Sequence, residues 1–305
     1  MFTRKSLLTS LVGLSLTAGS AFAAQAPQVS SVLPGTENAT AAGFINVRRI
    51  MDLFGAEIEA QPQFQQYLQY VEQGAPDVRT DINEVGVVAD MESESGEAGI
   101  AVLGSIKGEA LLKFLASQGL PFTESAYRGV NFYGVQDEKT SIELGFADEK
   151  TTVLSVVEGA GEQTFHKLIV DTLKGEIASL DAVRGLQLPE NYLGSVSIKM
   201  TERLRALAAA NELSMPLAAS ELITASVAAS DAKDLNLEIG IRMGTAEDAN
   251  GLQQILSMYL NAFGQQAGNA QPILEQILIT VNDRTVLVTL DLPGDLFGGK
   301  AAVAD

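Results

Sequence analysis

From Gly43 onward the chain runs through one set of elements twice, and this repeat constrains the fold more than any other feature. The clearest trace is at the two closing hairpins. Asp148-Glu149-Lys150-Thr151-Thr152-Val153-Leu154 aligns without a gap on Asn282-Asp283-Arg284-Thr285-Val286-Leu287-Val288, in each case a polar turn running into a strand. The openings also match. Gly43-Phe44-Ile45-Asn46-Val47 corresponds to Gly194-Ser195-Val196-Ser197-Ile198, and a helix follows with Leu53 in one copy and Leu204 in the other. The openings lie 151 residues apart and the closing hairpins 134, so the second copy is 17 residues shorter, chiefly for want of the helix that Pro62 starts.

Periodicity identifies the elements. Leu235, Leu237, Ile239, Ile241 and Met243 alternate with Asn236, Glu238, Gly240 and Arg242, the period-two pattern of a strand with one apolar face. Leu252, Ile255, Leu256, Tyr259, Leu260 and Phe263 fall on a single helical stripe. Polar outer faces point to antiparallel sheet, and the order strand–helix–hairpin–helix–strands lacks the β-α-β-α rhythm of a doubly wound fold. The expected class is therefore α+β: two related modules of mostly antiparallel sheet with helices packed on one face. The modules span 43–175 and 194–292, joined by a linker over 176–193 that is too apolar to hang free and is expected to dock. A disordered arm, rich in Ala, Ser, Thr and Pro, is expected over 24–42, and a flexible tail over 293–305.

Residues 1–23 have the three parts of a secretory signal: Arg4 and Lys5, an apolar run from Leu7 to Ala18, and the cleavage pattern Ala21-Phe22-Ala23. No later stretch reaches 18 uninterrupted apolar residues, so no membrane span is expected after cleavage. The chain holds no Cys, which excludes disulfides, thiolate metal sites and cysteine nucleophiles. Net charge is −18, and −20 once Arg4 and Lys5 are removed, which argues against nucleic acid and anionic membranes as partners.

Motifs of catalysis fail in context. Gly294 to Lys300 has the spacing of a phosphate loop, but Ala301 replaces the Mg²⁺-binding hydroxyl and no helix can follow. Ser230-Asp231-Ala232-Lys233 fits the S-x-x-K signature, but its companion motifs are missing and it falls in a hairpin turn. His166, the single His, lies at the margin of a helical stripe and is expected to be partly exposed. Two clusters remain as candidate sites. Tyr127, Arg128 and Tyr133 form a candidate ligand-binding platform on a turn and strand. Asp90, Glu92, Glu94 and Glu97 form a candidate Ca²⁺ site, although the EF-hand spacing is absent.

Three segments also carry a resemblance. Phe44-Ile45-Asn46-Val47 leads into a helix, Asp81-Ile82-Asn83-Glu84-Val85 has the form D-I-x-x-V, and Tyr127-Arg128-Gly129-Val130-Asn131-Phe132-Tyr133 the form Y-x-G-x-x-x-Y. From Gly43 to about Leu292 the chain thereby resembles exported bacterial proteins of unknown function built from a duplicated α+β module. The resemblance implies an envelope or extracellular setting and brings no catalytic residues.

The function expected is that of an exported non-catalytic binding or interaction module, with an envelope or extracellular protein or polymer as partner. Two alternatives are a carboxylate-dependent hydrolase acting on an envelope polymer and a calcium-dependent adhesion protein. Mass spectrometry of the exported fraction is expected to find a mature N-terminus at Ala24; a cytoplasmic protein that retains Met1 would remove the premise of export.

Overall fold

The computed structural model describes residues 28–294, apart from 93–95, 137–139, 159–163, 185–187, 189–190, 211–213 and 265–270. The signal segment, Glu94 and the tail beyond Gly294 lie outside the described residues. The chain divides into two compact units, Met1–Leu188 and Pro189–Asp305.

The first unit has seven strands in the order β1-β2-β3-β7-β6-β5-β4. They are β1 Ala41–Ile45, β2 Ile82–Asp90, β3 Glu97–Gly104, β4 Thr123–Tyr127, β5 Val130–Gln136, β6 Thr140–Phe146 and β7 Thr151–Glu158. Every pairing among them is antiparallel. Its helices are α1 Val47–Glu59, α2 Pro62–Val71, α3 Gly108–Ser117, α4 Phe165–Leu173 and the short α5 Leu180–Arg184. Local chemistry starts two of them. The Asn46 side chain accepts the Arg49 N–H at 3.1 Å as the N-cap of α1, and Pro62 opens α2 where its missing N–H costs nothing.

The second unit has five strands in the order β8-β9-β10-β12-β11. They are β8 Tyr192–Lys199, β9 Ser220–Ala229, β10 Leu235–Met243, β11 Ile277–Asn282 and β12 Thr285–Leu292, again antiparallel. Its helices are α6 Glu202–Ala209, α7 Ala246–Gly264 and α8 Gln271–Leu274. The strand order repeats that of β1-β2-β3-β7-β6. The first unit adds β4 and β5 at its edge, where the second spends chain on the longer α7 and on α8.

The α+β class is what the structure has, but the first unit differs from the expectation of helices on one face only. On one face of its sheet α1, α2 and α3 cover Val85, Ile100, Val102 and Leu144. On the other, α4 packs against β3 and β7, and a 3-10 turn, Val29–Ser31, packs against β2 and β3. The reason lies in β3, where Gly99-Ile100-Ala101-Val102-Leu103-Gly104 is buried on both sides. A continuous apolar run needs cover on both faces. The arm expected to be disordered supplies part of it: Val29, Val32 and Leu33 are buried. Residues 28–42 are therefore packed, because they hold the apolar side chains that the second face requires. Leu180 is buried as well, and its N–H donates to the Leu33 carbonyl at 2.8 Å.

Close packing on this face depends on glycines, among them Gly86, where a Cβ would collide with Val29 and Leu33. A Cβ on Gly99 would collide with Phe165, and one on Gly145 with the ring of Phe132, which lies directly opposite in the β5–β6 register. Gly145→Ala is expected to destabilise the protein by about 1–3 kcal/mol through overpacking. Urea titration of both proteins checks this, and an unchanged midpoint would show that Phe132 can move aside.

Candidate functional site

The structure separates the three candidate platform residues. Arg128 and Gly129 both have positive φ, 46° and 83°, and make the two-residue turn that joins β4 to β5. Tyr127 and Arg128 then face α4. The Tyr127 hydroxyl donates to the Asp171 carboxylate at 3.0 Å, Arg128 meets the same carboxylate at 2.8 Å, and it also pairs with Glu176 at 2.7 Å. Both side chains are thus spent on clasping the turn to the end of α4. Tyr133 lies across the sheet, edge-on to Phe122 with ring centroids 6.3 Å apart. Adjacent strand residues point to opposite faces, so Tyr127 and Tyr133, six positions apart but on strands separated by the turn, form no common platform.

The acidic group is divided in the same way. Asp90 ends β2 and accepts the Glu92 N–H at 2.9 Å, and Glu92 is exposed. Glu97 turns under the start of α4. Its carboxylate accepts the Phe165 N–H at 2.6 Å and the Thr164 hydroxyl at 2.8 Å, and it also accepts the Thr164 N–H. That is a capping role at a helix N-terminus, where carboxylates are favoured. Among the described residues no group of three or more His, Asp or Glu side chains is placed to hold a metal. The Ser230–Lys233 motif is a hairpin turn, with Lys233 at φ 66° and the Ser230 hydroxyl donating to Asp234 at 3.0 Å.

Sequence reasoning misplaced His166. It is 2% exposed, its Nε2 is 2.8 Å from Glu143 Oε2, and its ring packs edge-on to Phe132 with centroids 4.6 Å apart. Burial pushes the imidazole down to about 4 and the Glu143 carboxyl up from its ordinary value. The neutral ring therefore donates from Nε2. The burial comes from a layer over the second face of the sheet, which the helical stripe of α4 alone did not reveal.

The feature best shaped to hold a ligand lies on the first face. A cavity of about 120 Å³ sits between the sheet and α2 and α3, bounded by Val102, Leu111, Leu115, Val135, Leu144 and Leu154. Its lining is almost wholly apolar. Tyr67 contributes to the wall, but its hydroxyl is occupied: it donates to the Pro76 carbonyl and accepts the Val78 N–H at 3.0 Å. Burial raises that phenol to about 12, so it stays neutral. Tyr133 of the expected platform is part of this wall as well. A cavity with so little polar surface offers chiefly shape and dispersion, which suits an apolar chain or ring.

The second unit shows a different surface. Leu207 on α6, Met258 and Phe263 on α7, and Met215 between α6 and β9 are each exposed by more than half. No residue of α6 is buried, whereas its counterpart α1 buries Val47 and Leu53. Among the described residues no helix is long and apolar enough to cross a membrane.

No protein-family model matches the sequence, and no curated protein does. Similar solved structures exist at low identity. Crystal form III of TP0453 shares 13% sequence identity over 90% of this chain and 96% of that one, with a TM-score of 0.50. Crystal form I of the same protein has 13% identity, the same coverage and a TM-score of 0.49. The likeness is one of fold.

Glu97→Ala is expected to cost about 1–3 kcal/mol, since it strands donors at the head of α4. Millimolar Ca²⁺ is expected to leave the melting temperature unchanged. Thermal melts of both proteins with and without the ion decide the matter, and a calcium-dependent rise abolished by Glu97→Ala would restore the metal reading.

Proposed function

We propose that this is an exported, non-catalytic binding protein of the bacterial envelope or the extracellular space, and that its first unit holds an apolar chain or ring between the sheet and α2 and α3. The observation that carries the reading is the apolar cavity of about 120 Å³. Protein interiors are packed as densely as organic crystals, and a residual void destabilises by about 24 cal/mol per Å³. By that measure an empty cavity of this size costs about 3 kcal/mol, which an apolar occupant recovers in part. Engineered cavities of roughly 150 Å³ stay dry and take up benzene, so the volume here suits a group of about six carbons.

Export is supported by the three-part signal at residues 1–23, and solubility outside the cell by the strong negative charge. The exposed apolar side chains of α6 and α7 would supply a surface for a protein or polymer partner.

A titration with 1-hexanol and with benzene tests the cavity. Both are expected to raise the melting temperature of the protein in a saturable way, because each binds the folded state alone. Val102→Phe, which fills the space, is expected to abolish the rise while the variant stays folded. Absence of a shift, or an equal shift in the variant, would show that the cavity is not a binding site.

A further inference from the structure

The helix on the second face of the first unit is tied to its sheet by carboxylates, and the only histidine of the chain lies on its buried side. Glu97 of β3 holds the head of α4 through the Phe165 N–H and the Thr164 hydroxyl, at 2.6 Å and 2.8 Å. Glu143 of β6 meets His166, the second residue of α4, at 2.8 Å. Asp171 and Glu176 hold the far end through Tyr127 and Arg128. The first-face helices α2 and α3 are joined differently. Phe64, Leu111, Phe114 and Leu115 join them to the sheet through apolar contacts.

We propose that α4 is an acid-released strap, in which protonation of the buried His166 loosens the helix from the sheet while the first-face layer stays in place.

The geometry around the ring explains why a proton is costly there. Nε2–H is already spent on Glu143, and Nδ1 is buried with no hydrogen-bond partner among the described residues. A second proton would place a donor at Nδ1 without an acceptor, beside Phe132, and put a charge in low dielectric. The charged groups around the ring do little to help. Lys167, the next residue, adds positive charge that disfavours the cation. Glu97 is committed to the helix head and Asp171 to Arg128. Glu143 alone faces the ring directly.

The sign follows from these groups. In the closed state His166 protonates at about 4, against 6.5 for the free side chain, so a released helix binds the proton better. Closure is fully favoured above about 6.5 and loses ground as the pH falls toward about 4. Glu143, raised by burial, acts in the opposite direction, but at 23% exposure it is the less buried partner. Taken alone, the His166 shift moves the equilibrium toward release as the pH falls from about 6.5 toward about 4.

Amide hydrogen exchange on the intact protein at pH 7 and pH 5, corrected for intrinsic rates, tests the strap. Protection in residues 165–173 is expected to fall by about tenfold or more at pH 5, while residues 47–59 and 108–117 change by less than threefold. His166→Gln is expected to hold α4 protection equal at the two pH values. Because His166 is the single His, NMR of the histidine-labelled protein reads its protonation without any variant, and it is expected to stay neutral at pH 6. A ring that titrates near 6.5, unchanged α4 protection at pH 5, or loosening of all three helices together would each overturn the proposal.

Discussion

The first unit depends on one constraint: strand β3 is apolar on both faces, so its sheet must be covered twice. Ile100 and Val102 point into the layer formed by α1, α2 and α3, while Gly99 and Ala101 accept Phe165, Ile169 and the neighbouring side chains from the other side. The two covers differ in kind. The first consists of bulky aliphatic and aromatic side chains and leaves a cavity. The second lies close over small residues, held in place by carboxylates and an arm that begins near Val29. Burial of apolar area drives both, at about 25 cal/mol per Å². Small residues on the sheet let α4 approach more closely, and the polar ties then fix its position.

This difference gives the two faces different uses. A layer packed over large side chains from several helices tolerates a void, and here the void is almost wholly apolar. A layer held through carboxylates and one histidine responds to protons instead. The fold thus combines an apolar cavity on one face with a titratable attachment on the other. Both arise within the first unit. In the second, the sheet alternates and α7 covers the end marked by Ile241, Met243 and Val286.

Much of this organisation was legible in the chain. Alternation from Leu235 to Met243 predicted a half-buried strand, and β10 is one. The turn at Arg128-Gly129 and the α+β class follow from local patterns that tertiary packing did not override. The arm was misread because its Ala, Ser and Pro content hides three apolar side chains, Val29, Val32 and Leu33, that matter only when a sheet face awaits them. His166 was misread for a related reason. One helical stripe shows which side of α4 is apolar, and it cannot show that a second surface, with Phe132 and Glu143, closes over the margin.

The sequence by itself determined the elements, their repeat, and the absence of cysteine and multi-histidine chemistry, because each depends on residue type and near-neighbour spacing. Only the tertiary structure decided the sites. Tyr127 and Tyr133 are near in sequence yet lie on opposite faces, and Glu97 leaves its acidic neighbours to cap a helix 67 residues away in the chain. The cavity behind Tyr133 and the contact between His166 and Glu143 are formed by residues that no local pattern links. Strand pairing brings such residues together, and pairing register is a property of the whole sheet.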